Sequence, residues 1–137
     1  MKPGVKEFLQ YGRENGILFG IATSNGRTLA EAALKSLQIQ DYFSSVRTSG
    51  EVNTGKPYPD IYLKVAEDLR VRPEHCLVFE DVPMGILAGK RAGMKVCAVY
   101  DEFSRLLDTE KKKLADYYIH DFRDVMVKIK EKNTHGK

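Results

Sequence analysis

The stretch Leu77-Val78-Phe79-Glu80-Asp81-Val82-Pro83-Met84-Gly85-Ile86 constrains the fold more than any other part of this chain. Cys76 to Phe79 is a short apolar run, the pattern of a strand buried on both faces. Two adjacent carboxylates end it, and Pro83 opens a helix of small residues that extends to Ala92-Gly93. Strand, acidic pair and helix in that order place the pair at the carboxyl end of a parallel sheet, where doubly wound folds bind ligands. Adjacent carboxylates repel, and a hard divalent cation such as Mg²⁺, held by oxygen ligands, would compensate them. A strand that ends in a solvated acidic turn accounts for the same residues equally well.

The rest of the chain repeats the alternation. Pro3 sits near a first helical position, and Val5, Phe8, Leu9 and Gly12 recur at helical spacing before an Asn15-Gly16 C-cap. Ile17 to Ala22 reads as a second buried strand, followed by Thr23-Ser24-Asn25-Gly26. Hydroxyls, an amide and a glycine between strand and helix can present donors to a phosphate; a plain helix N-cap at Ser24 or Asn25 is the simpler reading. Leu29, Ala33, Leu34 and Leu37 line the next helix, and a short strand follows near Val46-Arg47-Thr48. After a polar loop, Lys56 precedes Pro57 and is therefore held extended. A lysine fixed there can neutralise a phosphate or a carboxylate, although a surface role is the default for any single lysine. Pro59 or Asp60 starts a helix carrying Ile61, Tyr62, Val65, Ala66 and Leu69. Met94 to Val99 is a further strand, Glu102 to Leu114 a charged amphipathic helix, Tyr117 to Ile119 a short edge strand and Asp121 to Lys132 a last helix. Residues 1–132 thus read as one α/β domain with a Rossmann-like parallel sheet and helices on both faces, and residues 133–137 as a frayed tail.

Composition excludes several classes. At 137 residues, 42% hydrophobic and 30% charged, the chain suits a single globular domain rather than disorder. A formal net charge of +3 is too small for a nucleic-acid binder, and its basic excess sits in Lys111-Lys112-Lys113 and the last ten residues, which read as solvated faces. No run of eighteen apolar residues forms a membrane span, and the amphipathic start lacks the apolar core of a signal peptide. Cys76 and Cys97, each on an apolar strand, read as reduced and buried, which suits the cytoplasm. His75 lies at the outer end of its strand and reads as structural.

Three polar clusters remain: Thr23-Ser24-Asn25, Lys56 and Glu80-Asp81. In that order they resemble the haloacid dehalogenase superfamily, and within it the beta-phosphoglucomutase-like phosphatases. Ile21-Ala22-Thr23-Ser24-Asn25 is similar to the second motif of that superfamily, and Gly55-Lys56-Pro57-Tyr58-Pro59-Asp60-Ile61-Tyr62 to the third. Val78 to Ile86, continued by Ala88 to Met94, is similar to the fourth. The resemblance implies catalytic roles for Thr23 and Lys56, phosphate contacts from Thr23, Ser24, Asn25 and Lys56, and Mg²⁺ ligation by Asp81 with Glu80 as direct or supporting partner. It implies a Mg²⁺-dependent phosphatase or phosphomutase that acts on small phosphorylated metabolites such as sugar phosphates.

One departure matters. The superfamily's first motif is an Asp-x-Asp pair whose first member becomes an aspartyl-phosphate, and no Asp-x-Asp occurs in this sequence. The segment Lys2-Pro3-Gly4-Val5 resembles the point where such proteins re-enter the core after a helical cap. The expectation is therefore a truncated core: a sheet lacking its first central strand, no cap, and no catalytic turnover by this chain alone. Two strands would then flank a gap, with each unpaired buried backbone group costing on the order of 1–3 kcal/mol. That sum rivals the whole stability of a domain, about 5–15 kcal/mol. Direct closure of the two strands, or a strand from another copy or from a missing N-terminal segment, is the expected remedy. A non-catalytic module that binds phosphate or a partner is the alternative reading. A receiver-like domain is a third, disfavoured because its acidic pair comes early in the chain.

Overall fold

The computed structural model describes residues 2–48 and 59–135, with side chains as far as residue 131. Helices and strands alternate: α1 (Val5–Glu14), β1 (Phe19–Thr23), α2 (Arg27–Ser36), β2 (Phe43–Thr48), α3 (Asp60–Leu69), β3 (Leu77–Glu80), α4 (Pro83–Arg91), β4 (Lys95–Val99), α5 (Asp108–Leu114), β5 (Tyr117–Ile119) and α6 (Phe122–His135). All strand pairs are parallel, as the α/β reading requires. Local chemistry sets the boundaries. Gly4, at φ 85°, turns the chain into α1, Gly16 at φ 75° follows its end, and Pro83 occupies the first turn of α4.

The strands form two sheets, β1-β2 and β3-β4-β5. Among the described residues β1 and β3 do not pair, so the expected closure of these two strands does not occur. Side chains connect the sheets instead. The Phe8 ring of α1 packs edge-on against Phe19 of β1 (centroids 5.7 Å apart) and Phe79 of β3 (5.5 Å), with Phe122 of α6 at 5.4 Å. Elsewhere, Ile61, Tyr62 and Ala66 of α3 share a core cluster with Val78, Ile86, Val96 and Ala98, and Ala22 of β1 packs against it. The cost of unpaired edges is reduced because water reaches these strands: every residue of β1 is only half-buried.

That accounts for one correction. β1 and β3 were both expected to be buried, yet Ile17 and Leu18 are about half exposed, as is Leu77 at the start of β3. Full burial belongs to β4, which has a neighbour on each side and shows 0–3% exposure from Val96 to Val99. A second correction concerns the segment 102–114. It is not one helix but a 3₁₀ segment, Glu102–Leu107, followed by α5, with non-helical angles at Ser104. Asp101 accepts the Phe103 N–H at 3.1 Å and starts the tight turn. A third is Lys111, expected on a solvated face and in fact fully buried. The last helix also runs to His135, three residues past its expected end.

Candidate active site

Glu80 is the last residue of β3, and alternation puts its side chain on the same face of the strand as Val78. There its Oε2 accepts the Tyr62 hydroxyl at 2.7 Å, and its Oε1 accepts the Asp81 backbone N–H at 3.0 Å. Both carboxylate oxygens are therefore engaged. Burial first, and then the Glu80 charge, push the Tyr62 phenol far above its usual range, so it remains a hydrogen-bond donor. Gly85 makes this arrangement possible. A Cβ at that position would fall 2.1 Å from Glu80 Cδ, so any side chain there would displace the carboxylate.

Asp81 lies in the turn between β3 and α4 and is half-buried. Burial raises its carboxyl above the ordinary range, repulsion from Glu80 and Asp101 raises it further, and Lys2 opposes the rise. The Lys2 Nζ donates to the Tyr100 carbonyl and to Asp101 Oδ1, both at 3.1 Å, which carries a cation to the carboxyl end of β4. The Asp81 carbonyl accepts the Ser104 hydroxyl at 2.8 Å.

The second cluster lies at the end of β1. Thr23 Oγ1 accepts the Asn25 backbone N–H at 3.1 Å, closing a small turn. The N-cap of α2 is Gly26, with no side-chain cap, so neither Ser24 nor Asn25 caps the helix; both are exposed. The connection that the structure shows between this turn and the acidic pair is apolar, through Ala22 and the core cluster containing Tyr62 and Val78. Lys56 lies outside the described residues.

A hard cation fits the acidic turn on chemical grounds. Asp81 offers carboxylate oxygens whose charge is penalised by burial and by two neighbouring carboxylates, a penalty a dication would relieve. Among the described residues no three His, Cys, Asp or Glu side chains are grouped as a ready cage. That is compatible with Mg²⁺, which keeps several waters and uses one or two carboxylates. Sequence reasoning missed Lys2, Tyr62, Asp101, Ser104 and Lys111 as neighbours of this turn. Tyr62 stands on an apolar face and at the end of the third-motif segment with no polar partner expected for it, and for Lys2 and Asp101 only the tertiary fold brings the partners together.

Residues 1–99 match the family described as haloacid dehalogenase-like hydrolase. The chain belongs to that family. It is 40% identical over 93 residues to the phosphorylated carbohydrates phosphatase of Thermotoga maritima, covering 68% of this chain and 43% of that protein. It is 32% identical over 97 residues to hexitol phosphatase B of Escherichia coli K12, covering 71% and 44%. Among solved structures, the beta-phosphoglucomutase of Clostridium difficile superposes with a TM-score of 0.79 at 28% identity, covering 96% of this chain and 56% of that one. CbbY of Rhodobacter sphaeroides, solved with xylulose-(1,5)bisphosphate, gives 0.80 at 26% identity, covering 88% and 54%. The chain thus spans less than half the length of these curated relatives. The superfamily and its Rossmann-like α/β fold are those expected from the sequence.

Proposed function

We propose that this chain is the charge-handling part of a Mg²⁺-dependent phosphatase or phosphomutase acting on small phosphorylated metabolites, sugar phosphates foremost, in the cytoplasm. The observation that supports it most is the acidic turn itself: a carboxylate at a strand's carboxyl end, burdened by burial and like charge, within a family-matched segment. Relatives named for phosphorylated carbohydrates and hexitol point to the substrate class.

In this reading Asp81 would ligate Mg²⁺, which when bound supplies charge neutralisation to the phosphoryl group. Glu80, whose oxygens accept from Tyr62 and the Asp81 N–H, orients the turn rather than reaching the ion. The Thr23 hydroxyl donates to a phosphoryl oxygen while its oxygen continues to hold the Asn25 N–H. Ser24 and Asn25, exposed beside it, add donors, and Lys56 supplies positive charge. Phosphoryl transfer is mostly positioning and electrostatics, and these groups provide both. No Asp-x-Asp occurs in this sequence, so a strand bearing the nucleophilic aspartate would come from other polypeptide, not from a second copy, and would lie between β1 and β3.

Incubating the 137-residue chain with Mg²⁺ and p-nitrophenyl phosphate tests the reading. Turnover at buffer background is expected. Turnover that survives purification and disappears in Asp81→Asn would overturn the missing-nucleophile part. Mg²⁺ binding unaffected by Asp81→Asn would overturn the assignment of the metal.

A further inference from the structure

Lys111 is the described residue whose environment departs furthest from its sequence context. It lies in a run of three lysines, yet it is 0% exposed. Burying an ammonium is costly unless its donors are satisfied, and three partners surround this one. Nζ donates to the Val99 carbonyl at 2.7 Å and to Ser104 Oγ at 3.2 Å, and it stands 3.7 Å from Asp108 Oδ1. The other Asp108 oxygen accepts the Tyr118 hydroxyl at 2.6 Å.

Ser104 is buried too, and its hydroxyl has one proton to give. Its nearer acceptor is the Asp81 carbonyl at 2.8 Å; the Asp101 carbonyl stands off at 3.5 Å. Donation from Lys111 into the serine oxygen polarises the hydroxyl and strengthens the bond it makes onward. The non-helical backbone of Ser104, φ −115° and ψ 18°, interrupts the segment from Glu102 to Leu107 at the residue that makes these contacts. A buried cation, a buried hydroxyl and the backbone of the acidic turn therefore form one chain of donors.

We propose that Lys111, acting through Ser104, is a positioning residue for Asp81: the relay from Nζ to Oγ to the Asp81 carbonyl holds the acidic turn in its ligand-competent conformation. This rests on the reading of Asp81 as a metal ligand. The competing role is a pin that only holds α5 against β4, and Tyr118 offers the comparison. Tyr118 also binds Asp108 but lies outside the relay.

The test uses the isotopically labelled 137-residue chain and the variants Ser104→Ala, Ser104→Thr, Lys111→Met and Tyr118→Phe. Three quantities are read: the Asp81 carbonyl ¹³C shift, Mn²⁺ affinity by water-proton relaxation, and the thermal midpoint. Ser104→Ala and Lys111→Met are expected to move the carbonyl resonance and weaken Mn²⁺ binding on the order of tenfold or more. Ser104→Thr keeps the hydroxyl and restores both; Tyr118→Phe lowers the midpoint and moves neither. Should Lys111→Met not fold, the two Ser104 variants decide alone. Wild-type resonance and affinity in Ser104→Ala overturn the proposal, as does Tyr118→Phe moving them equally far. If the wild-type chain binds no Mn²⁺, the metal reading of Asp81 fails and the resonance decides the positioning role. Unmoved in Ser104→Ala, it overturns that role; moved there and restored in Ser104→Thr, it upholds it.

Discussion

β1 and β4 are strands of equal length and similar apolar character, yet they are buried to different depths. Val96 to Val99 of β4 are nearly inaccessible, whereas β1 is half-buried throughout. The difference lies in the neighbours. Each has a helix against it, α4 on β4 and α3 on β1, but β4 has β3 and β5 on its two edges, while among the described residues β1 has β2 as its one strand partner. Burial is therefore a property of what flanks a strand, and it divides the molecule into a well-packed three-stranded half and a looser two-stranded half. The acidic turn grows from the first and the Thr23 turn from the second.

The largest test of that division compares two isoleucines. Ile86 of α4 is 0% exposed, and Ile86→Ala should cost about 2–5 kcal/mol in a urea titration. Ile21 of β1 is half-buried, so Ile21→Ala should cost roughly half as much, in proportion to the apolar surface it hides. Equal losses would break the comparison. Hydrogen exchange sharpens it: β4 amides should exchange only through global unfolding, and β1 amides through smaller openings.

Next in size is the ring that spans the halves. Phe8→Ala removes contacts with Phe19, Phe79 and Phe122 together. A loss of about 2 kcal/mol is expected, below the range for fully buried rings because Phe8 is only half-buried. If Phe8 couples the halves, the variant should also speed exchange in β1 while leaving β4 protected. Uniform exchange in both sheets would show that it does not.

Most of the architecture was legible from periodicity. Among the described residues, alternating apolar runs and helical stripes gave β1 to β5 and, apart from the break within 102–114, the α-helices, because each element carries its own pattern. Environment was less legible. The missing Asp-x-Asp strand foretold a gap beside β1, but not how far that gap would expose Phe19 to Thr23, and Lys111 looks like its neighbours Lys112 and Lys113. The inward turn of Ser104, the carbonyl end of β4 and the Asp108 carboxylate together make a buried ammonium tolerable. At the site, Glu80 and Asp81 were legible because strand, acidic pair and proline form a local signal. Tyr62 was not, since a tyrosine on an apolar stripe looks the same whether or not its hydroxyl meets a carboxylate.

A smaller effect separates function from stability. Gly85→Ala places a Cβ where Glu80 Cδ now sits, but a glutamate is flexible and can swing away. Stability should change by less than about 1 kcal/mol, helped by alanine's better helix propensity. Mn²⁺ affinity should fall on the order of tenfold, because the turn loses the acceptor of the Asp81 N–H. Unchanged affinity would show that Glu80 does not orient Asp81.

The smallest effect concerns how the looser half is tied to α3. Asp68 of α3 accepts Ser45 Oγ at 2.7 Å and Arg47 at 2.7 and 2.8 Å, a charged clasp onto β2. The Arg47 hydrogen bonds, followed by that from Ser45, hold its carboxyl down at about 2, against a weaker opposing effect of burial. An ordinary aspartate titrates near 3.9. The folded pKa lies below the unfolded one, so the clasp stabilises the fold fully above about pH 4 and is lost as pH falls toward about 2. Asp68→Asn should therefore lower the thermal midpoint modestly at pH 7, and the gap to wild type should close between those values. Screening in 0.5 M salt should narrow the gap at pH 7, since a partly exposed pair is weak and salt-sensitive. A gap that persists unchanged to pH 2 would mean that the asparagine perturbs packing rather than charge. A loss larger than that of Ile86→Ala would reverse the ranking and make the polar clasp, not the three-stranded core, the stronger support of the fold.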